Sequence, residues 1–240
     1  MKVHEKISFV IPVYNEEDNL KPLADELRPV AESICDDYEV IFVDDVSTDS
    51  SLTAMKNMAA EDSHIKFITL DTHSGQSAAL YQGFQNASGS VIITMDADLQ
   101  NDPADIPEMI KCYGEYDMIT GWRHNRRDTF QKRVGSKIGN FVRNSLTGES
   151  IHDTGCSLKI MRASMIRQIK MFRGLHRFLP TLMRLEGARV LELKVNHRPR
   201  FRGTSNYTNL KRGMEGLYDV IAVRWMIKRN LRVGVKEKHL

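Results

Sequence analysis

The first hundred residues alternate between short apolar runs and longer segments, and this alternation constrains the fold more than any other feature. Apolar and β-branched residues dominate positions 7–13, 39–43, 65–70 and 91–95, with helix-length segments between them at 16–31, 50–60 and 75–87. Continuous apolar runs of this length are typical of buried parallel strands. The βαβαβαβ order predicts an open α/β sheet with right-handed crossovers and a ligand crevice at the carboxyl ends of the strands.

The rest of the chain extends this pattern without a repeat or a clear linker. We predict strands at 118–120, 156–161 and 190–197, and helices at 104–113, 178–185 and 210–231. Two basic stretches, 123–133 and 198–207, are expected to be loops. We therefore expect one α/β domain over residues 1–207, followed by a basic amphipathic helix and tail over residues 208–240.

Composition excludes several classes of protein. Of 240 residues, 41% are apolar and 27% are charged, as in globular proteins rather than disordered chains. No apolar run approaches the roughly 18 residues of a membrane span, and the N-terminus lacks a signal-peptide cleavage pattern, so we expect a cytoplasmic protein. Cys35, Cys112 and Cys156 have no CxxC spacing and suggest neither a disulfide framework nor a thiolate zinc site.

Charge is divided unequally between the two halves of the chain. Residues 1–120 contain 7 Lys or Arg and 23 Asp or Glu, whereas residues 121–240 contain 27 and 8, so the net charges are −16 and +19. The basic half is suited to phosphates, nucleic acid or an anionic membrane surface. Carboxylates in the acidic half could serve a cation.

Acidic residues directly follow three of the predicted strands, and two of these strand ends carry a pair of carboxylates. Asp96 and Asp98 are separated by one small residue, and Gln100 continues the alternation. Oxygen ligands at this spacing can hold a hard divalent cation and the diphosphate that it neutralises, although acids at strand ends are also often helix caps or solvated loop residues. Asp44 and Asp45 follow the second strand, where they suit hydrogen bonds to the hydroxyls or the base of a nucleotide.

Six sequence blocks, taken in order, resemble a known enzyme family. The blocks are FVIPVYNEEDNL, VIFVDDVSTDSS, DTHSGQSAALYQGF, VIITMDADLQNDP, MITGWR and DTGCSLKIMR. They resemble family 2 glycosyltransferases of the GT-A fold, a Rossmann-like open mixed sheet flanked by helices. Within that family they most resemble the dolichol-phosphate mannose synthase and bacterial polyprenyl-phosphate glycosyltransferase branch. No Walker A loop or GxGxxG fingerprint is present, which disfavours P-loop and dinucleotide-binding alternatives.

The resemblance implies a nucleotide-binding role for residues at the first two strand ends. Pro12, Tyr14 and Glu16 are implied to line the base pocket, and Asp44 and Asp45 to reach the base and the ribose. The second strand ends in Asp-Asp-Val-Ser, where the family has a glycine in place of the valine. Uridine and guanosine remain open as the base, and the sugar is not identified.

The resemblance also implies the groups that face the donor diphosphate. Asp96 would face the ribose and diphosphate, and Asp98 and Gln100, with Asp96, would hold Mg²⁺ or Mn²⁺. Arg123, from the GxR block, and Arg133 would lie near the phosphates, with Arg133 assigned to the phosphate of the acceptor. A guanidinium suits that task because its planar fork matches two phosphate oxygens and keeps its charge.

Acceptor recognition is implied to lie in the later part of the chain. Arg200 and Arg202 fall in a block similar to the family's RxxGxSK segment, although Asn206 replaces the lysine. Asp153 matches an acid that precedes the acceptor region. It could act as a base if the acceptor is a hydroxyl, whereas a phosphate acceptor is already ionised and needs Asp153 only for orientation.

Taken together, the resemblance implies a metal-dependent inverting glycosyltransferase that moves a sugar from a nucleotide diphosphate sugar to a polyprenyl phosphate. Asp98, Arg123 and Asp153 would be its catalytic residues. The alternative keeps the donor and changes the acceptor to a hydroxyl of a glycan or lipid. A catalytically silent nucleotide-sugar binder stays open, and no nucleic-acid partner is expected because no recognition module is present.

Two expectations concern association. The final helix could lie on an anionic membrane surface, which would make the protein peripheral on the cytoplasmic face, or it could pack on the domain core. Relatives often self-associate, so a homo-oligomer is implied by analogy.

Overall fold

The computed structural model describes residues 2–124, 143–199 and 209–231, with side chains of the last range described from residue 216 onward. Three predicted acceptor residues, Arg133, Arg200 and Arg202, lie outside these ranges. So do most of the two basic stretches predicted as loops and the tail after residue 231.

Across the described residues, seven strands form one mixed sheet. Its spatial order is β3-β2-β1-β4-β6-β5-β7, and only β6 runs antiparallel to its neighbours. The strands are β1 (Ile7–Val13), β2 (Tyr38–Asp44), β3 (Ile65–Thr69), β4 (Val91–Thr94), β5 (Met118–Arg123), β6 (Lys159–Arg162) and β7 (Val190–Val195). The predicted α/β class and open mixed sheet are confirmed.

Helices cover both faces of this sheet. They are α1 (Glu17–Ile34), α2 (Ser51–Glu61), α3 (Gln76–Asn86), α4 (Ile106–Ile110), α5 (Ala163–Ile166), α6 (Leu179–Leu185) and α7 (Asn209–Arg229). Short 3-10 turns, Pro103–Asp105 and Leu175–Phe178, precede α4 and α6, and residues 143–147 are also helical. One core packs under α1, α2 and α4, and the other packs under α3, α5, α6 and α7.

Several predicted boundaries are wrong, each for a physical reason. The helix predicted at 104–113 is a 3-10 turn followed by five α-helical residues, because proline restricts the backbone at positions 103 and 107. The strand predicted at 156–161 begins only at Lys159. The strand predicted at 118–120 continues to Arg123, because it pairs along its whole length with β7.

β3 was predicted to be buried and instead forms an edge of the sheet. Among the strands of the described residues it pairs with β2 alone, and its residues Lys66 and Phe67 are exposed. The Lys66 ammonium pairs with the buried carboxylate of Glu39 on β2. A charged residue on an edge strand discourages pairing with another chain.

The C-terminal helix α7 packs on the domain and also exposes apolar side chains. Val220 and Val223 are buried in the core beneath α3 and α6, and the Arg224 guanidinium donates to the Leu146 carbonyl oxygen. On the outer side of α7, four large residues stay exposed: Leu217, Tyr218, Ile221 and Trp225. Within the described ranges, no helix has both the length and the apolar character needed to span a membrane.

Candidate active site

The ends of β1 and β2 form the first wall of the crevice. Asp44 is buried, and its Oδ1 accepts from the Ser47 amide at 3.0 Å. Asn15, after β1, accepts from the Thr48 amide at 2.7 Å and donates its own amide to Ser47 Oγ. These bonds hold the two loops that follow the strands together.

Val46 lies in this wall with φ of +62°. This is the position where the sequence lacks the family's glycine. A β-branched residue is disfavoured in the left-handed region, because its Cβ approaches the following carbonyl oxygen. The backbone conformation that glycine allows is thus kept without the glycine, and the loop carries strain.

Asp45 joins the end of β2 to the start of α3. The side chain is 3% exposed, and its two oxygens accept from the amides of Ser74 and Gly75, each at 2.7 Å. Gly75 has φ of +86° at the N-cap of α3. Both Asp45 oxygens therefore hold the N-terminus of α3 in place. Any hydrogen bond from Asp45 to a nucleotide would be made in addition to these two.

Two aromatic rings lie at this end of the sheet. The Tyr14 ring, which is 37% exposed, lies 4.4 Å from the His73 ring between centroids, with an interplanar angle of 37°. His73 Nδ1 is 3.0 Å from the Asp45 carbonyl oxygen. Pro12 and Glu16 are half-buried on either side of Tyr14 in the chain. The residues predicted to line a base pocket thus lie together at the end of β1 and in the segment that leads into α1.

The end of β4 carries the two central carboxylates. Asp96 accepts from the Gln76 side-chain amide at 2.8 Å, and its own amide donates to Asn101 Oδ1. Asp98 is 5% exposed and accepts from the Gln100 amide at 3.1 Å. Sequence reasoning missed Gln76 and Asn101, because only the fold brings the start of α3 to the Asp96 carboxylate and the Asn101 side chain to the Asp96 amide.

The donor set at this turn fits a hard cation. Asp96, Asp98 and Gln100 offer carboxylate and amide oxygens, which suit Mg²⁺ and Mn²⁺ better than softer metals. Within the part of the chain that the structure describes, no group of three or more His, Cys, Asp or Glu side chains could hold a metal ion. A cation here would need further oxygens from a bound ligand.

Arg123 and Asp153, predicted to play separate roles, are paired. Arg123 Nε donates to Asp153 Oδ2 at 2.7 Å, and Nη2 donates to Oδ1 at 2.9 Å. The side chains are 14% and 13% exposed. Burial alone would raise the pKa of Asp153, but the Arg123 hydrogen bonds and charge outweigh it and hold that pKa below its usual value.

This pairing limits what each group can do. A carboxylate with both oxygens engaged and a lowered pKa is a weak proton acceptor. Asp153 engages Arg123 through Nε and Nη2, so a phosphate would meet the remaining N–H groups of the guanidinium, on Nη1 and the outer side of Nη2.

Lys159, which sequence reasoning passed over, is also buried in this region. It begins β6 and is 3% exposed. The available signal was a lysine flanked by the apolar residues Leu158 and Ile160 in a predicted strand.

Comparisons with known proteins agree with this architecture. Residues 8–170 match the model of glycosyl transferase family 2. The chain belongs to this family. It is a glycosyltransferase, and the predicted family is confirmed.

Curated relatives of this glycosyltransferase are polyprenyl-phosphate sugar transferases. Dodecaprenyl-phosphate galacturonate synthase from Rhizobium johnstonii is 37% identical over 95% of this chain and 69% of its own length. Undecaprenyl-phosphate 4-deoxy-4-formamido-L-arabinose transferase from Proteus mirabilis is 37% identical over 86% of this chain and 64% of its own length. The glycosyltransferase spans about two thirds of the length of these relatives.

A solved structure confirms the GT-A fold. Glucosyl-3-phosphoglycerate synthase from Mycobacterium tuberculosis, in complex with Mn²⁺, uridine diphosphate and phosphoglyceric acid, superposes with a TM-score of 0.70. The match covers 96% of this chain and 81% of that one at 17% identity.

Proposed function

We propose that this glycosyltransferase moves a sugar from a nucleotide diphosphate sugar to a polyprenyl phosphate, with inversion at the anomeric carbon and dependence on a divalent cation. The curated relatives named above act on dodecaprenyl and undecaprenyl phosphates. The solved neighbour was crystallised with Mn²⁺ and uridine diphosphate. Both support the proposal for this chain.

The bidentate pairing of Arg123 with Asp153 carries the choice of acceptor. A hydroxyl acceptor must lose a proton as it attacks, so it needs a base. Asp153, the acid predicted for that role, has both oxygens bonded to Arg123 and a lowered pKa. A phosphate acceptor is already ionised and needs no base, which favours a polyprenyl phosphate over a hydroxyl.

The donor would lie across the ends of β1, β2 and β4. Tyr14 and His73 present ring faces suited to a nucleobase. Asp44 and Asp45 lie at the adjoining end of β2, where the ribose would follow. This places the base and ribose on the acidic half of the chain.

The diphosphate would reach Asp96, Asp98 and Gln100. A divalent cation held by these oxygens would neutralise the diphosphate and make it a better leaving group. Asp96 is oriented by Gln76 and Asn101, so its carboxylate is positioned before the donor binds.

Transfer is a single displacement. An oxygen of the acceptor phosphate attacks the anomeric carbon on the face opposite the diphosphate, and a new carbon–oxygen bond forms. The bond from that carbon to the diphosphate oxygen breaks, and its electron pair leaves with the nucleoside diphosphate. No proton is transferred in the step. Arg133, Arg200 and Arg202, outside the described residues, stay predicted as acceptor contacts.

We further propose that the protein binds the cytoplasmic face of a membrane through the segment after residue 207, as an extension of the catalytic domain of residues 1–207. The exposed residues Leu217, Tyr218, Ile221 and Trp225 share one side of α7, and Lys228 and Arg229 follow in its last turn. Apolar side chains beside basic ones suit an anionic lipid surface.

The acceptor is tested by radiolabelled sugar transfer. The full chain is assayed with UDP- and GDP-linked sugars, with Mn²⁺ or with a chelator, and with either polyprenyl phosphate or the matching polyprenol as acceptor. We expect product only with the phosphate and only with metal, and its loss in Asp98→Asn. Transfer to the polyprenol would overturn the acceptor assignment, and undiminished transfer in chelator would overturn the metal dependence.

A further inference from the structure

A row of polar side chains crosses the sheet just below the crevice. In the pairing of β4 with β6, Lys159 lies opposite Thr94, and in the pairing of β6 with β5 it lies opposite Thr120. Directly opposed residues of antiparallel strands point to the same face. This face also carries Met118 and Met161, which belong to the core beneath α3 and α6. The row is therefore a polar interruption of an apolar layer.

Two of these polar residues, Thr120 and Lys159, form no side-chain hydrogen bond or ion pair within the described residues although both are buried. Thr120 is fully buried, and its Oγ1 has no hydrogen-bond partner among the described residues. Lys159 is 3% exposed, and no hydrogen bond or ion pair joins its Nζ to any other residue in the described ranges. A buried polar group without a partner is costly, and a buried charge without one is more so. Such a cost is expected where a ligand completes the site.

The charges around Lys159 belong to the proposed reaction centre. Burial lowers the pKa of Lys159 and outweighs Asp153 and Asp96, which favour its charged form, while Arg123 opposes that form. Asp153 is already neutralised by Arg123. Within the described ranges, the Lys159 ammonium therefore has no carboxylate committed to it as an ion-pair partner.

We propose that Lys159, with the Thr120 hydroxyl beside it, binds a phosphoryl oxygen at the reaction centre, next to the Asp153-bound Arg123. The inference rests on the proposed function, which brings two phosphoryl groups to this point: the diphosphate of the donor and the phosphate of the acceptor. Either would give the ammonium the anion that the protein does not provide.

Equilibrium binding tests this without turnover. Binding of nucleoside diphosphate with Mn²⁺, and separately of farnesyl phosphate as a short polyprenyl phosphate, is measured by calorimetry for the native chain, Lys159→Met and Lys159→Arg. Lys194→Met is the matched control, because Lys194 is an exposed lysine on β7 of the same sheet.

We expect Lys159→Met to weaken one of the two ligands about ten- to hundredfold, Lys159→Arg to restore much of that binding, and the control to bind as the native chain does. If nucleoside diphosphate binding is weakened, the phosphoryl group that Lys159 binds is the donor diphosphate. If farnesyl phosphate binding is weakened, that group is the acceptor phosphate. The apolar variant should fold at least as stably as the native chain, because it removes a buried unpaired charge.

Unchanged binding of both ligands by a folded Lys159→Met variant would overturn the inference. So would an equal loss in Lys159→Arg together with a lowered melting temperature, because that pattern indicates a structural role. If the native chain binds both ligands but transfers no sugar to polyprenyl phosphate, the proposed function fails while the binding result for Lys159 stands.

Discussion

At the scale of single residues, Val46 shows backbone conformation outweighing side-chain preference. Its φ of +62° costs roughly 1–2 kcal/mol for a residue with a Cβ. Glycine would remove that strain. Because glycine loses more conformational entropy on folding, roughly 0.5–1 kcal/mol of the gained stability would be offset. The loop keeps the valine and the hydrogen bond that the Ser47 amide donates to Asp44 Oδ1.

We predict that Val46→Gly raises the free energy of unfolding by roughly 0.5–1 kcal/mol, measured by urea denaturation. Val46→Ala is the control, because it removes the β-branch and keeps the Cβ, and it should gain less. A glycine variant less stable than the native chain would mean that the valine side chain contributes packing that exceeds the strain.

At the same scale, we expect the side chains of Arg123 and Asp153 to be strongly coupled in the free energy of unfolding. Removing one partner leaves a largely buried charge alone, so Arg123→Met and Asp153→Asn should each lower the free energy of unfolding by about 3 kcal/mol. The double variant should lose clearly less than the sum of the two, as a double-mutant cycle by urea denaturation would show. The exposed pair Lys21–Asp25 is the control, with a coupling of about 0.5 kcal/mol or less.

One result would reverse the interpretation of this pair. If Asp153→Asn keeps the native stability and binds ligands normally while turnover disappears, Asp153 is acting as a base. The hydroxyl acceptor would then replace the polyprenyl phosphate in the proposed function.

At the scale of elements, a single carboxylate ties β2 to its neighbours. Glu39 is 1% exposed and accepts from Ser8 Oγ on β1 at 2.6 Å, from the Ser88 amide at 2.6 Å, and from the Lys66 ammonium on β3. Burial alone would raise the pKa of Glu39, but these hydrogen bonds outweigh it and lower that pKa to about 2.

The sign of this shift predicts acid sensitivity. A carboxyl whose pKa is lower in the folded state stabilises the fold above its unfolded pKa of about 4.5, and that contribution is lost as the pH falls toward 2. We expect Glu39→Gln to lower the free energy of unfolding by roughly 2–3 kcal/mol at pH 7 and to flatten its decline below pH 4.5. Glu115→Gln, at an exposed position, should change neither. A steep acid decline that survives in Glu39→Gln would assign the sensitivity to other groups.

Elements were predictable to the extent that local pattern determines them. The bounds of β1 agree with prediction because its apolar run is buried along nearly its whole length. β3 has a similar run, but its place at the sheet edge depends on pairing that local pattern does not encode. The helix of residues 163–166 was not predicted, because four residues are too few to show periodicity.

At the scale of the whole molecule, the carboxylates at the strand ends were predictable, because parallel strands bring their carboxyl ends to one edge. The pairing of Arg123 with Asp153, 30 residues apart, was not. The burial of Lys159 between Thr94 and Thr120 also follows from the antiparallel insertion of β6, a property of the assembled sheet. Sequence thus indicated which residue types serve the site, and only the fold showed which of them are already engaged with each other.

The division of charge also acts at this scale. The acidic half of the chain carries the proposed donor site, and the half with net charge +19 carries α7 with its exposed apolar side. A protein that must reach a lipid-linked phosphate benefits from a surface that anionic lipid attracts, because attraction raises its concentration near the acceptor.

This arrangement predicts binding to anionic vesicles, measured by co-sedimentation of the full chain with phosphatidylglycerol or phosphatidylcholine vesicles. We expect binding to the anionic vesicles that weakens with salt, and a loss of about tenfold or more in Leu217→Ser/Ile221→Ser, because each side chain contributes roughly 1.5–3 kcal/mol when buried. Phe67→Ser removes a similarly exposed apolar residue from the β3 edge and should bind as the native chain does. Two results would show that α7 does not direct the protein to an anionic surface. One is a loss of binding in Phe67→Ser as large as that in the α7 variant, and the other is binding to neutral vesicles at high salt that equals binding to anionic vesicles.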